Sequence, residues 1–198
     1  PFPNIVFPQV ATVWDENIII CLSLSKLGLP GLRTGIVVAH EKVIRAVTAA
    51  NAILSLAPGS AGPGLVSDMV GDRSILDLSD NVIRPYYRQR VKQAVSWVNT
   101  ALEGYPCRVH TPEGAIFLWL WFEGLPITSE KLYQRLKSRG VLVIAGEHFF
   151  PGLEGEWGHR HECIRISYAQ DPASVEAGIH IIGEEVARAY DSAKAKSV

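Results

Sequence analysis

The segment Ser23-Leu24-Ser25-Lys26-Leu27-Gly28-Leu29-Pro30-Gly31-Leu32-Arg33-Thr34-Gly35 constrains this chain more than any other. Just before it runs Ile18-Ile19-Ile20-Cys21-Leu22, five apolar residues in a row, which read as a strand covered on both faces. A lysine at the end of such a strand needs a reason, because lysine is rarely buried and costly to desolvate. Partly desolvated, its amine becomes a usable nucleophile. Two serine hydroxyls precede it and a guanidinium follows seven residues on, a donor set that suits a phosphate. Gly28 and the Pro30-Gly31 pair let the chain fold back tightly between them.

A lysine that forms an imine beside an anion cradle is the chemistry of pyridoxal 5'-phosphate (PLP). The segment resembles the PLP-lysine motif of class I/II (fold-type I) aminotransferases, Ser-x-Ser-Lys followed by Pro-Gly-x-Arg-x-Gly. Many members place the arginine eight residues after the lysine. A spacing of seven resembles the branch that includes aminoadipate-type aminotransferases and PLP-dependent regulators. Further similar stretches are 112–122, 132–137 and 148–152, so the resemblance covers nearly the whole chain. It implies that Lys26 is the catalytic lysine, that Ser23, Ser25, Lys26 and Arg33 bind the cofactor, and that Arg165 clamps the substrate α-carboxylate. It is nearest to the valine–pyruvate branch, which implies transfer of an amino group from L-valine to pyruvate, giving 2-oxoisovalerate and L-alanine. The partners it implies are a small amino acid and a 2-oxo acid, with a homodimer in the intact protein. The alternatives are another aminotransferase of the same class, a PLP-sensing effector domain of a transcriptional regulator, and a noncatalytic fragment that dimerises without coenzyme.

The bulk numbers fit this reading. The 198 residues are enough for one large domain or two small ones. A net charge of −1 argues against a nucleic-acid-binding surface. The longest apolar run, 115–122, is too short to span a bilayer, and no basic stretch followed by an apolar one reads as a signal peptide. Three cysteines, Cys21, Cys107 and Cys163, do not make a disulfide framework, and a reducing cytoplasm is the simpler reading. The chain starts at Pro1 and its only methionine is Met69, so the expectation is a fragment, a processed product or a single piece of a larger fold. In the family pattern, the aspartate that pairs with the pyridinium nitrogen and the aromatic residue that stacks on the ring lie upstream of residue 1. The expectation is little activity from this chain alone.

The fold class expected is α/β: the end of a PLP-dependent transferase large domain over residues 1–80, a connecting long helix over 81–104, and a small α/β domain over 105–198. Strands are expected at 18–22, 35–39, 107–110, 115–122, 141–145 and 163–168. Helices are expected at 41–56, 63–70, 129–139 and 175–193, with a long one capped by Ser79 and running to 103 despite Pro85.

Outside the lysine loop, Arg165 sits in an apolar strand whose Ile164 and Ile166 point to the other face, so it needs a partner. The run 146–152 has two aromatics that suit an aliphatic substrate side chain, and loop packing explains them equally well. The glycines of 59–64 suit a close approach to a phosphate of a partner subunit, or simply a turn. His159, His161 and Cys163 alternate at strand spacing, but no fourth ligand is evident and no metal is expected. Trp119 and Trp121 are expected as buried strand packing.

Overall fold

The computed structural model describes residues 13–27, 29–56, 59–114 and 116–195, with only the backbone for Lys26 and Leu27. Two units divide between Tyr86 and Tyr87.

In the first unit, β1 (Ile20–Ser23) and β2 (Gly35–Val38) pair antiparallel, with Ile20 opposite Val38 and Ser23 opposite Gly35. Two short 3-10 turns, Leu24–Leu27 and Pro30–Leu32, carry the chain between them. The strand expected to be covered on both faces leaves Ile19, Cys21 and Leu22 exposed, and β1 pairs with β2 alone among the described strands. Helix α1 (Glu41–Ser55) starts at His40, whose Nδ1 accepts the Lys42 N–H at 3.2 Å, and buries none of its residues. Helices α2 (Ala61–Gly71) and α3 (Ser74–Leu78) follow. Leu24, Val66 and Ile75 make a small core, with Leu29, Leu32, Ile36 and Met69 packed on it.

The long helix expected from Ser79 is instead a π turn at Ser79–Ile83 followed by α4 (Arg84–Ala101). Pro85 has no N–H to give the Asn81 carbonyl, and its ring crowds that carbonyl, so the ladder widens there.

In the second unit, β3 (Cys107–Val109), β4 (Phe117–Phe122), β5 (Ile144–Ala145) and β6 (Cys163–Ser167) form one antiparallel sheet in the order β3-β4-β6-β5. Along β4 burial alternates: Leu118, Leu120 and Phe122 are buried, while Phe117, Trp119 and Trp121 are half-buried on the other face. In β6, Ile164 and Ile166 share the buried face, opposite Leu120 and Leu118. Helices α5 (Ser129–Ser138) and α6 (Pro172–Lys194), with α4, supply the rest of this core through Leu132, Leu136, Ile179, Val186 and Val98.

The strand expected at 141–145 pairs only over its last two residues. Gly140, at φ +80°, stops α5: its N–H donates to the Lys137 carbonyl at 3.0 Å and the Val141 N–H to the Leu136 carbonyl at 2.9 Å. The backbone of Val141 is thus spent on ending the helix. Helix α6 begins before residue 175 because Asp171 caps it, its side chain accepting the Ser174 N–H at 3.0 Å, with Pro172 in the first turn. No helix of the described residues is long and apolar enough to cross a membrane.

Candidate active site

The lysine loop is closed by backbone hydrogen bonds. The Leu24 N–H donates to the Thr34 carbonyl at 3.2 Å, extending the β1–β2 ladder by one rung and holding residues 25–33 as a single loop. The Leu29 N–H donates back to the Leu24 carbonyl at 3.2 Å. Leu24 itself is buried in the small core and anchors the loop. Ser23 Oγ accepts the Ser25 N–H at 3.3 Å, which leaves its own proton free to donate outward. The backbone of Lys26 falls in the 3-10 turn between Ser25 and Leu27; its side chain, like all of Gly28, lies outside the described residues.

Arg33 adopts a left-handed conformation, φ 49° and ψ 37°, and its N–H donates to the Pro30 carbonyl at 3.4 Å. A residue with a Cβ is uncommon there and costs about 1 kcal/mol or more. The conformation turns the chain sharply between Leu32 and Thr34. The Arg33 side chain is exposed and no carboxylate pairs with it among the described residues. Hydroxyl donors and an unneutralised guanidinium on one closed loop fit a phosphate dianion.

Gly62 is not a sequence candidate by itself, yet it fixes this loop. A Cβ there would fall 2.1 Å from Thr34 Oγ1 and 2.7 Å from the Leu32 carbonyl oxygen. The second turn and the start of α2 therefore meet at a residue that must be glycine. Its only sequence signal is membership of the 59–64 glycine run.

Arg165 sits in β6 opposite Trp119 of β4 and Ile144 of β5. Its Cζ lies 4.2 Å from the Phe117 ring centre and 4.9 Å from that of Phe149. Contacts of this kind contribute about 0.5–2 kcal/mol each and orient a guanidinium. Among the described residues no carboxylate pairs with Arg165, so its N–H groups remain for an external acceptor. The strand that carries it is tied at its end by Arg90 of α4. Buried Arg90 Nη2 donates to the carbonyls of Tyr168 at 3.3 Å and Gln170 at 2.6 Å.

Around Arg165 the outer sheet face is aromatic. Trp119 meets Phe149 edge-on at 5.1 Å, Phe150 meets Trp157 at 5.1 Å, and Trp121 meets His159 at 4.8 Å. Trp119 and Trp121 thus belong to this half-exposed face and not to the buried one, which Leu118, Leu120 and Phe122 fill. Trp121 Nε1 donates to Glu162 Oε2 at 2.8 Å, satisfying its polar edge.

The strand-like alternation of His159, His161 and Cys163 does not exist. Gly158–His161 is a 3-10 turn, so the two histidines diverge. His159 Nε2 lies 3.6 Å from Cys163 Sγ, while His161 Nδ1 lies 2.9 Å from Glu147 Oε1. Among the described residues no three His, Cys, Asp or Glu side chains gather as a metal would need. Burial pushes the Cys163 thiol up to about 11 and the Cys107 thiol up to about 12, so neither is a ready nucleophile.

Similarity to known proteins bears on the same residues. Residues 4–182 match the family described as aminotransferase class I and II. The chain is 50% identical over 190 residues to valine–pyruvate aminotransferase of Escherichia coli (strain K12), covering 96% of this chain and 46% of that protein. It thus spans about half the length of that relative. The crystal structure of valine–pyruvate aminotransferase from Salmonella typhimurium LT2 superposes with a TM-score of 0.87 at 50% identity, over 96% of this chain and 49% of that one. The fold alone is shared with α-aminoadipate aminotransferase from Thermus thermophilus, solved with N-(5'-phosphopyridoxyl)-L-leucine: TM-score 0.70, 22% identity, 87% and 42% coverage. The chain belongs to the class I and II aminotransferases, a family of PLP-dependent enzymes.

Proposed function

We propose that this chain is part of a PLP-dependent aminotransferase that moves the amino group of L-valine to pyruvate, giving 2-oxoisovalerate and L-alanine. The observation that carries the reading is the closed 24–34 loop, which contains Ser25, Lys26 and Arg33 and starts directly after Ser23 at the end of β1. The 50% identity to valine–pyruvate aminotransferase supports the substrate choice. In this reading the cytoplasm is the compartment and the intact protein is a homodimer.

When bound, PLP supplies an electron sink that stabilises negative charge at the substrate Cα. Ser23, Ser25 and Arg33 hold its phosphate by hydroxyl and guanidinium hydrogen bonds. Lys26 would hold the coenzyme through its Nζ, and the same amine, when free, would serve as the base that moves the substrate Cα proton. Arg165 holds the substrate carboxylate by a two-point bond, which fixes the direction of the Cα–H bond. The aromatic face around Arg165 takes the isopropyl group and sheds water from it. The proposed domain limits follow the same reading: 1–80 closes the large domain, 81–104 connects, and 105–198 is the small domain.

Mixing the protein with PLP, reducing with borohydride and mapping the modified peptide by mass tests the anchor. Label on Lys26, lost in Lys26→Arg, is the expected result. Label scattered over surface lysines overturns it. Assay of L-alanine formed from L-valine and pyruvate tests the substrate pair.

A further inference from the structure

We propose that Glu147 and His161 form a positioning pair that holds Phe149 against the Arg165 guanidinium and so sets the angle at which Arg165 meets a carboxylate. The inference rests on the reading of Arg165 as the carboxylate clamp.

The two rings beside Arg165 are held by different means. Phe117 is part of β4 and its place is fixed by the sheet. Phe149 lies on the 3-10 turn Gly146–Phe149 and is 38% exposed, so burial alone does not hold it. The turn is pinned at its start. Gly146 is so closely packed that a Cβ would fall 2.7 Å from the Cys163 carbonyl oxygen and 2.9 Å from that of Arg160. Beside it, Glu147 Oε1 lies 2.9 Å from His161 Nδ1 and accepts from the buried Ser129 hydroxyl at 3.5 Å. The contact to His161 is too bent for a straight hydrogen bond and sets the carboxylate beside the dipole of the imidazole edge. His161 Nε2 accepts from Arg160 Nε at 2.9 Å, which leaves the ring proton on Nδ1, toward Glu147.

The Glu147 carboxylate is therefore gripped from two elements, the first turn of α5 and the turn Gly158–His161, two residues before Phe149. Phe149 then rests edge-on against Trp119, the residue opposite Arg165 in the ladder. A guanidinium lined by rings keeps its N–H edge directed outward; if Phe149 swings away, that edge is free to turn.

The test uses the PLP-loaded, full-length protein that carries this segment, with Glu147→Gln, His161→Gln, their double variant and Arg165→Ala. Each single change at the pair is expected to raise KM for the amino acid about tenfold while kcat moves less than about threefold. PLP affinity stays the same, and the double variant is no worse than the worse single. Hydrogen exchange at amides 147–150 speeds up, with the rest of the sheet unchanged. If Glu147→Gln does not fold, Glu147→Asp, which keeps the charge and shortens the reach, carries the same test. Unchanged KM in the pair variants overturns the proposal, whether or not exchange quickens. If Arg165→Ala still raises KM in that case, the clamp reading stands without the pair. If Arg165→Ala leaves KM unchanged, both readings fall together.

Discussion

The two units secure their proposed functional residues in different ways. Residues 87–195 share one core in which Leu120, Phe122, Leu132, Leu136 and Ile164 are fully buried, and Arg165 stands on a strand of that core. Residues 13–86 bury Leu24, Val66 and Ile75, while Ile53 and Leu54 are 84% and 85% exposed. The lysine loop is shaped by local devices instead: a closing ladder bond, a left-handed arginine and a glycine with no room for a methyl. One unit holds its arginine through a large shared core, and the other holds its loop through a few specific contacts and a small core. Damage should therefore spread differently in the two.

The largest expected difference is in stability. Phe122→Ala should cost about 3–5 kcal/mol, whereas Ile53→Ala should stay within about 0.5 kcal/mol. Denaturant unfolding of the two variants measures this, and equal losses would break the comparison. Next come the two crowded glycines. Gly62→Ala and Gly183→Ala, where a Cβ would fall 2.6 Å from the Ala101 carbonyl oxygen, should each cost about 1–3 kcal/mol. PLP titration separates them: only Gly62→Ala should weaken coenzyme binding, because it displaces Thr34 and with it Arg33.

A smaller effect follows from the thiols. Cys107 and Cys163 release their protons at about 12 and about 11 when folded, against an ordinary value of 9.0. The folded chain then holds more protons than the unfolded one above that ordinary value. Stability is whole below it and falls as pH rises toward 11 and 12, by at most about 1.4 kcal/mol per pH unit for each thiol. Unfolding midpoints between pH 8 and 10.5 check the sign, and a rise with pH would refute it. Thiol labelling at pH 8 should modify the exposed Cys21 first and leave the other two until unfolding. Smallest of all, Glu41→Gln removes an exposed α1 pair with Arg45 and should change stability by less than about 0.5 kcal/mol.

What the sequence reveals follows the range of the forces involved. The lysine motif is contiguous, so its turn chemistry and its residue types can be read together. The strand alternation in 117–122 is visible, but which face is core is not: Trp and Leu are both apolar, and only the ladder to β6 and the helices behind it decide. His159 and His161 suit strand spacing because the chain leads into a strand. The 3-10 turn before Cys163 depends on the packing of Gly146 and Glu162, which no local pattern announces. The Glu147–His161 contact joins two loops and leaves no periodic trace. The break at Pro85 is legible as a strain on the helix, though not its outcome as a π turn.

The alternation along β4 has one more consequence. Leu118, Leu120 and Phe122 answer to the core, while Phe117 and Trp119 answer to whatever meets Arg165. Two separate inheritances are written on one six-residue strand, interleaved letter by letter. If Arg165 is the proposed carboxylate clamp, exchanges at the even positions should alter durability and exchanges at 117 and 119 should chiefly alter selectivity. The face that meets the amino acid could then change without emptying the core, whereas a single inserted residue would trade the two messages and lose both at once.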